Sequence, residues 1–105
     1  MTDHEMLVFA AKAYGAVWNP GFACFIDPAQ PDSMTEGIWL PRTDDGDAFR
    51  LMVKLGLDIQ RDKWDGQVYA GNLDVLVKLP LGKDHAAATR EAIFQAAVAI
   101  GKAMP

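Results

Sequence analysis

One cysteine, one serine and two histidines are all this chain holds of the residues that most often carry nucleophilic, redox or transition-metal chemistry. Each scarcity closes a class of function. A lone Cys24 can make neither an intramolecular disulfide nor a thiolate zinc site, and a reducing, cytoplasmic compartment is the simplest reading. Its neighbours Phe22, Ala23, Phe25 and Ile26 are apolar, so desolvation disfavours the thiolate and an inert buried thiol is expected. Ser33 lies among Pro31 and Asp32 with no Gly-x-Ser-x-Gly elbow, which excludes a serine hydrolase. His4-Glu5 continues with Val8 where a zincin needs its second His, and His4 and His85 are both expected at solvated helix starts. The nine glycines form neither Gly-x-Gly-x-x-Gly nor a Walker A sequence, so no nucleotide fingerprint is present and no cofactor is expected. No apolar run approaches the roughly 20 residues of a membrane-spanning helix, and Thr2, Asp3, His4 and Glu5 are not the basic start of a signal peptide, so neither a membrane nor export is expected. Basic residues are also few, ten against fourteen acidic for a net charge of −4. They are scattered, and nucleic acid is not expected as a partner.

What is present describes an ordinary globular domain. The 105 residues, half of them apolar and 23% charged, suit a single domain that buries a real core without metals or disulfides. Thr2 and Glu5 form a capping box ahead of a helix over residues 3–14, whose stripe is Leu7, Ala10, Ala11 and Tyr14 and whose stop is Gly15. Trp18-Asn19-Pro20-Gly21 reads as a turn, and residues 22–26 as a short strand covered from two sides. Residues 27–36 read as an exposed loop. A second helix is predicted over 45–55, with Ala48, Leu51, Met52 and Leu55 inward and Gly56 as its stop. A third, over 85–104, is capped by Asp84 and buries Ile93, Ala97, Ile100 and Met104.

Between the last two helices the period changes to two. Asp65-Gly66 and Gly71-Asn72, read as two-residue hairpin turns, propose a three-stranded antiparallel meander. That register pairs Val68 with Lys63 and Val75, and Ala70 with Arg61 and Leu73. One face then collects Leu57, Ile59, Val68, Ala70, Leu73, Val75, Val77 and Leu79, of which Leu57, Ile59, Val75 and Val77 should be nearly inaccessible. The other face mixes Asp58, Gln60, Asp62, Gln67, Asp74 and Lys78 with Trp64, Tyr69 and Leu76. Trp64, Tyr69 and Leu76 are therefore the candidate interface, an apolar centre with a polar rim suited to a symmetric dimer. Trp39, between the loop and Pro41, is read as a core plug.

The acidic turn WLPRTDDGDAFR, beginning at Trp39, is the one dense cluster of chemical groups. Asp44, Asp45 and Asp47 could bind a hard cation, but a calcium loop counted from Asp45 would need a bidentate Glu where Gly56 stands. The stronger reading is structural. Thr43 or Asp44 caps the second helix, and carboxylates in its first turn interact favourably with the helix dipole by roughly 0.3–1 kcal/mol each. A metal-dependent phosphoester hydrolase using these aspartates is the alternative function.

The longer segment WLPRTDDGDAFRLMVKLG, residues 39–56, resembles the signature of the phage ABA sandwich domain, a family of small phage and prophage proteins of uncharacterised function. Ala10-Ala11-Lys12-Ala13-Tyr14-Gly15, Ala87-Ala88-Thr89-Arg90 and Ala97-Val98-Ala99-Ile100-Gly101-Lys102-Ala103-Met104 are also similar to it. The family pattern has Asn where Leu40 stands, so no role of that Asn carries over. The resemblance implies a sheet between helical layers, with Trp64, Tyr69 and Leu76 covered, and implies no activity and no catalytic residues. Residues and resemblance together predict an α+β fold of three helices on a three- or four-stranded sheet. The functional expectation is a non-catalytic accessory or binding protein, in the host cytoplasm if phage-encoded, acting as a homodimer or with an unidentified phage or host protein.

Overall fold

The structure is a computed structural model that describes residues 1–29 and 37–105. Its described residues form three helices and two antiparallel sheets, an α+β fold. The helices stand where their local signals put them. Helix α1 spans Asp3–Tyr14, and its capping box is complete. Glu5 N–H donates to Thr2 Oγ1 at 3.1 Å and Thr2 N–H to Glu5 Oε1 at 3.2 Å. Helix α2 spans Asp45–Leu55 and stops at Gly56, whose φ of 63° is left-handed. Helix α3 spans His85–Ala103, started by Asp84, whose carboxylate accepts from Ala87 N–H at 3.0 Å.

Helix α3 is the centre of the molecule. It packs against α1, α2 and the last two strands of the larger sheet, so it buries Ala92, Ile93, Phe94, Ala96, Ala97, Val98 and Gly101 rather than a single stripe. Met104, expected in that stripe, falls beyond the last turn and is 40% exposed. The small residues of α1 and α3 let the helices meet at backbone distance. A Cβ at Gly101 would overlap the carbonyl oxygen of Phe9.

The smaller sheet corrects one expectation. Trp18 and Asn19 lie in strand β1, Val17–Asn19, which pairs antiparallel with β2, Cys24–Ile26. The turn begins two residues later, at Pro20, where Asn19 Oδ1 accepts from Gly21 N–H at 2.9 Å and Phe22 N–H at 3.2 Å. Only one side of β2 is covered. Phe25 is buried, Cys24 and Ile26 are half-buried, and Phe22 lies outside the strand and is exposed. Of the expected loop, residues 30–36, Ser33 among them, lie outside the described residues. Its first residue, Asp27, is fully buried rather than exposed. Beyond it the chain returns alongside β2, with Trp39 N–H donating to Phe25 O at 2.9 Å and Ile38 bridging to Ile26.

The meander forms as β3 (Asp58–Asp62), β4 (Gln67–Gly71) and β5 (Leu76–Pro80), but its register differs from the predicted one. Val68 faces Arg61 and Leu79, and Ala70 faces Ile59 and Val77. The connections are four-residue loops, 63–66 and 72–75, each organised by the side chain that precedes or opens it. Asp62 Oδ1 accepts from the amides of Trp64 at 3.0 Å and Asp65 at 3.1 Å. Asn72 Oδ1 accepts from those of Asp74 at 2.8 Å and Val75 at 3.1 Å. Both register shifts are by an even number of residues, so every strand residue keeps its predicted face. Leu73 does not, since it sits at a loop tip and is fully exposed. Val68 and Ala70 on the central strand are completely buried and Leu57 nearly so, while Ile59, Val75 and Val77 are half-buried because β3 and β5 are edges.

The outer sheet face carries Asp58, Gln60, Leu76 and Lys78 in solvent, with Tyr69 half-buried. The second helical layer implied by the resemblance is not confirmed.

Candidate functional site

The acidic turn is fully engaged in holding the chain. Asp44 is the N-cap of α2 and accepts from Asp47 N–H at 2.8 Å, whereas Thr43 is exposed and caps nothing. Asp47, buried, accepts from Leu40 N–H at 2.8 Å with one oxygen and from Arg50 Nη2 at 2.6 Å with the other. Asp45 accepts from Arg90 Nη1 at 2.6 Å. Arg42 completes the latch onto α3. It donates from Nε and Nη2 to the two oxygens of Glu91, each at 2.9 Å, and lies 4.5 Å from the centroid of the Phe94 ring. Burial alone would raise the Glu91 carboxyl, but hydrogen bonds from Arg42 and Gln95 outweigh it and hold it below its ordinary value. Asp44 and Asp47 thus converge on Arg50, whose Nη2 lies 4.0 Å from Asp44 Oδ2 and 2.6 Å from Asp47 Oδ1, while Asp45 turns to Arg90. Among the described residues no three His, Cys, Asp or Glu side chains are placed to hold a metal ion.

Behind the turn lies a polar node that sequence reasoning missed. Tyr14 of α1 donates its hydroxyl to Asp27 Oδ2 at 2.7 Å, and Ala29 N–H donates to Asp27 Oδ1 at 2.9 Å. Arg50 Nε stands 3.7 Å from the same Asp27 oxygen, close enough for ion pairing and too long for a hydrogen bond. Burial first, and then the Asp27 carboxylate, push the Tyr14 hydroxyl well above the usual tyrosine range. Trp39 roofs the node. It is buried, as expected, and stacks on Tyr14 with centroids 5.2 Å apart and planes 10° apart. No local signal could have revealed this cluster, because Asp27 meets partners far away along the chain on two different helices.

The described residues also form concave surfaces. One is a groove of about 450 Å³ between α2, the first half of α3 and the end of β3. Another, of about 400 Å³, lies on the outer sheet face and is bounded by Asp58, Tyr69, Gly71, Leu73 and Leu76. The structure brings two of the three candidate interface residues together, since Tyr69 and Leu76 share this hollow. Trp64 stands apart at the tip of the 63–66 loop, the opposite end of the same sheet, and is wholly exposed. Tyr69 donates its hydroxyl to Asp65 at 3.0 Å, and this bond is the first cause that holds its proton above the ordinary range.

Comparison with known protein families, with characterised proteins and with solved structures gives no match. Among the described residues no helix is long and apolar enough to cross a membrane.

Proposed function

We propose that this chain is a non-catalytic binding module that self-associates through the outer face of the β3–β4–β5 sheet. The observation that supports it is a wholly exposed tryptophan, Trp64, at one end of the sheet and a hollow on the outer face, with Tyr69, Leu73 and Leu76, at the other. A two-fold rotation about an axis across the strands sets each copy's Trp64 over its partner's hollow, which makes the surface complementary to itself. Tryptophan in an apolar recess is a common energetic anchor of interfaces. Polar Asp58, Gln60 and Lys78 supply the rim. Catalysis by the acidic turn has no comparable support, because its carboxylates are occupied by backbone amides and arginines. The resemblance of residues 39–56 adds a setting, a phage- or prophage-encoded accessory protein working in the host cytoplasm beside a phage or host protein.

Light scattering at tens of micromolar tests the reading. A dimer that Trp64→Ala and Leu76→Asp each dissociate, with unchanged circular dichroism, is the expected result. A monomer of 11.5 kDa at every concentration overturns it.

A further inference from the structure

The groove on the helix side of the sheet has a chemistry the outer face lacks. Its floor is apolar, with Ala48 and Ile93 buried and Met52 and Ile59 half-buried, and Phe49 of α2 stands exposed along one wall. Its rim carries two guanidinium groups, Arg61 and Arg90, against a single carboxylate, Asp45. Arg90 is held in place by Asp45 at 2.6 Å and by the carbonyl oxygen of Arg42 at 3.0 Å. Arg61 has no ion pair among the described residues. Its position is unusual, because the register aligns it with Val68 and Leu79 on the helix-facing side of the sheet. A net positive rim over an apolar floor, in a chain of net charge −4, is complementary to one kind of occupant.

We propose that this groove binds a small amphiphilic carboxylate, an apolar body with one negative charge. The volume falls in the range of small-molecule sites, roughly 300–1,000 Å³. The apolar floor disfavours a strongly hydrated dianion such as phosphate, since its charge would lose water without enough donors in return. A carboxylate matches the planar fork of Arg61, which pairs with no acid among the described residues. The body of the ligand rests on Met52, whose thioether adapts to aromatic and alkyl shapes, and against Phe49. The site lies on the other side of the sheet from the self-association surface and does not depend on it.

The probe is 4-phenylbutyrate, with neutral 4-phenylbutanol as its control, titrated into isotopically labelled full-length protein and followed by amide NMR shifts. Saturable shifts at Phe49, Ile59, Arg61, Thr89 and Ile93 are expected, with a Kd of roughly 0.1–1 mM, as suits a ligand of this size on an open site. The alcohol should bind at least about fivefold more weakly, and Arg61→Gln should remove that difference. Phe49→Ala should weaken both probes alike. Four results overturn the proposal. The first is no saturable shift at these residues up to 10 mM probe, and the second is equal affinity for acid and alcohol, which would make the groove a seat for an uncharged apolar segment. The third is unchanged acid affinity in Arg61→Gln with increased self-association, which would make Arg61 a charge guarding the edge strand β3 against pairing. Shifts at the groove that follow protein concentration without any probe would assign it to a second copy and also overturn the proposal.

Discussion

The two ends of this molecule break the ordinary rule of burial in opposite senses. Around α1, β2 and α2 the chain buries charge, with Asp27 at 0% and Asp47 at 4% exposure, while the meander holds Trp64 at 100% and Leu76 at 73% exposure in water. The first violation is compensated group by group, by the Tyr14 hydroxyl, by Arg50 and by backbone amides. Nothing within the described chain compensates the second. A buried charge is tolerated only where its partners are in place, whereas an exposed apolar surface is what the proposed second copy would cover.

The largest break in this contrast should come from Asp27→Ala. It leaves the buried Tyr14 hydroxyl and the Ala29 amide without their acceptor and removes the more distant of the two buried carboxylates beside Arg50, and should cost about 3 kcal/mol in urea unfolding at pH 7. Tyr14→Phe keeps the stack on Trp39 and removes only the charge-assisted hydrogen bond, for about 1.5 kcal/mol. It also changes the alkaline limb. Folded Tyr14 keeps its proton above the usual range while the unfolded chain ionises near about pH 10. Wild-type stability therefore falls as pH rises beyond that value, and the Phe variant lacks this component of the slope.

Glu91→Gln sharpens the acid limb, with a smaller effect of about 1 kcal/mol at pH 7 because the pair with Arg42 is partly exposed. Since the folded Glu91 pKa is lowered, its contribution is present above the unfolded value near about 4.3 and disappears as pH falls through the lower folded value. The Gln variant should show a flatter acid limb between about pH 5 and pH 3. At the other end of the comparison, Trp64→Ala should change stability by less than about 0.5 kcal/mol. Its effect should appear in mass by light scattering instead. A Trp64 variant that loses stability as much as Asp27→Ala does would erase the distinction between the two ends.

Elements that could be read from sequence were those whose signals are local. Thr2 with Glu5, Asp44, Asp84, Gly15 and Gly56 carry their own helix-end geometry in adjacent residues, and the helices follow them. In the meander the sequence alternation matches the faces of the strand residues but not their pairs, and Leu73 lies outside the strands. Alternation reports only parity, while pairing depends on loop length, which Asp62 and Asn72 set by folding their side chains back onto the following amides. Arg61 was legible in part, since parity alone aligns it with Ile59 on the inner face. Asp27 was not legible. Before Pro28 it looks like the start of a loop, and its burial exists only once α1 and α2 converge on it.

The contact between Gly101 and the Phe9 backbone imposes an order in time as well as in space. It joins segments separated by almost the whole described chain, so it forms only after a long loop has closed at an entropic cost. The hairpins of the meander can form early from neighbouring residues. The surface that covers Val68 and Ala70, however, comes from α3, which is synthesised after them. Until α3 is synthesised, the helix that covers the apolar row of Val68 and Ala70 is missing, and any strands formed by then leave exposed what the finished protein keeps hidden.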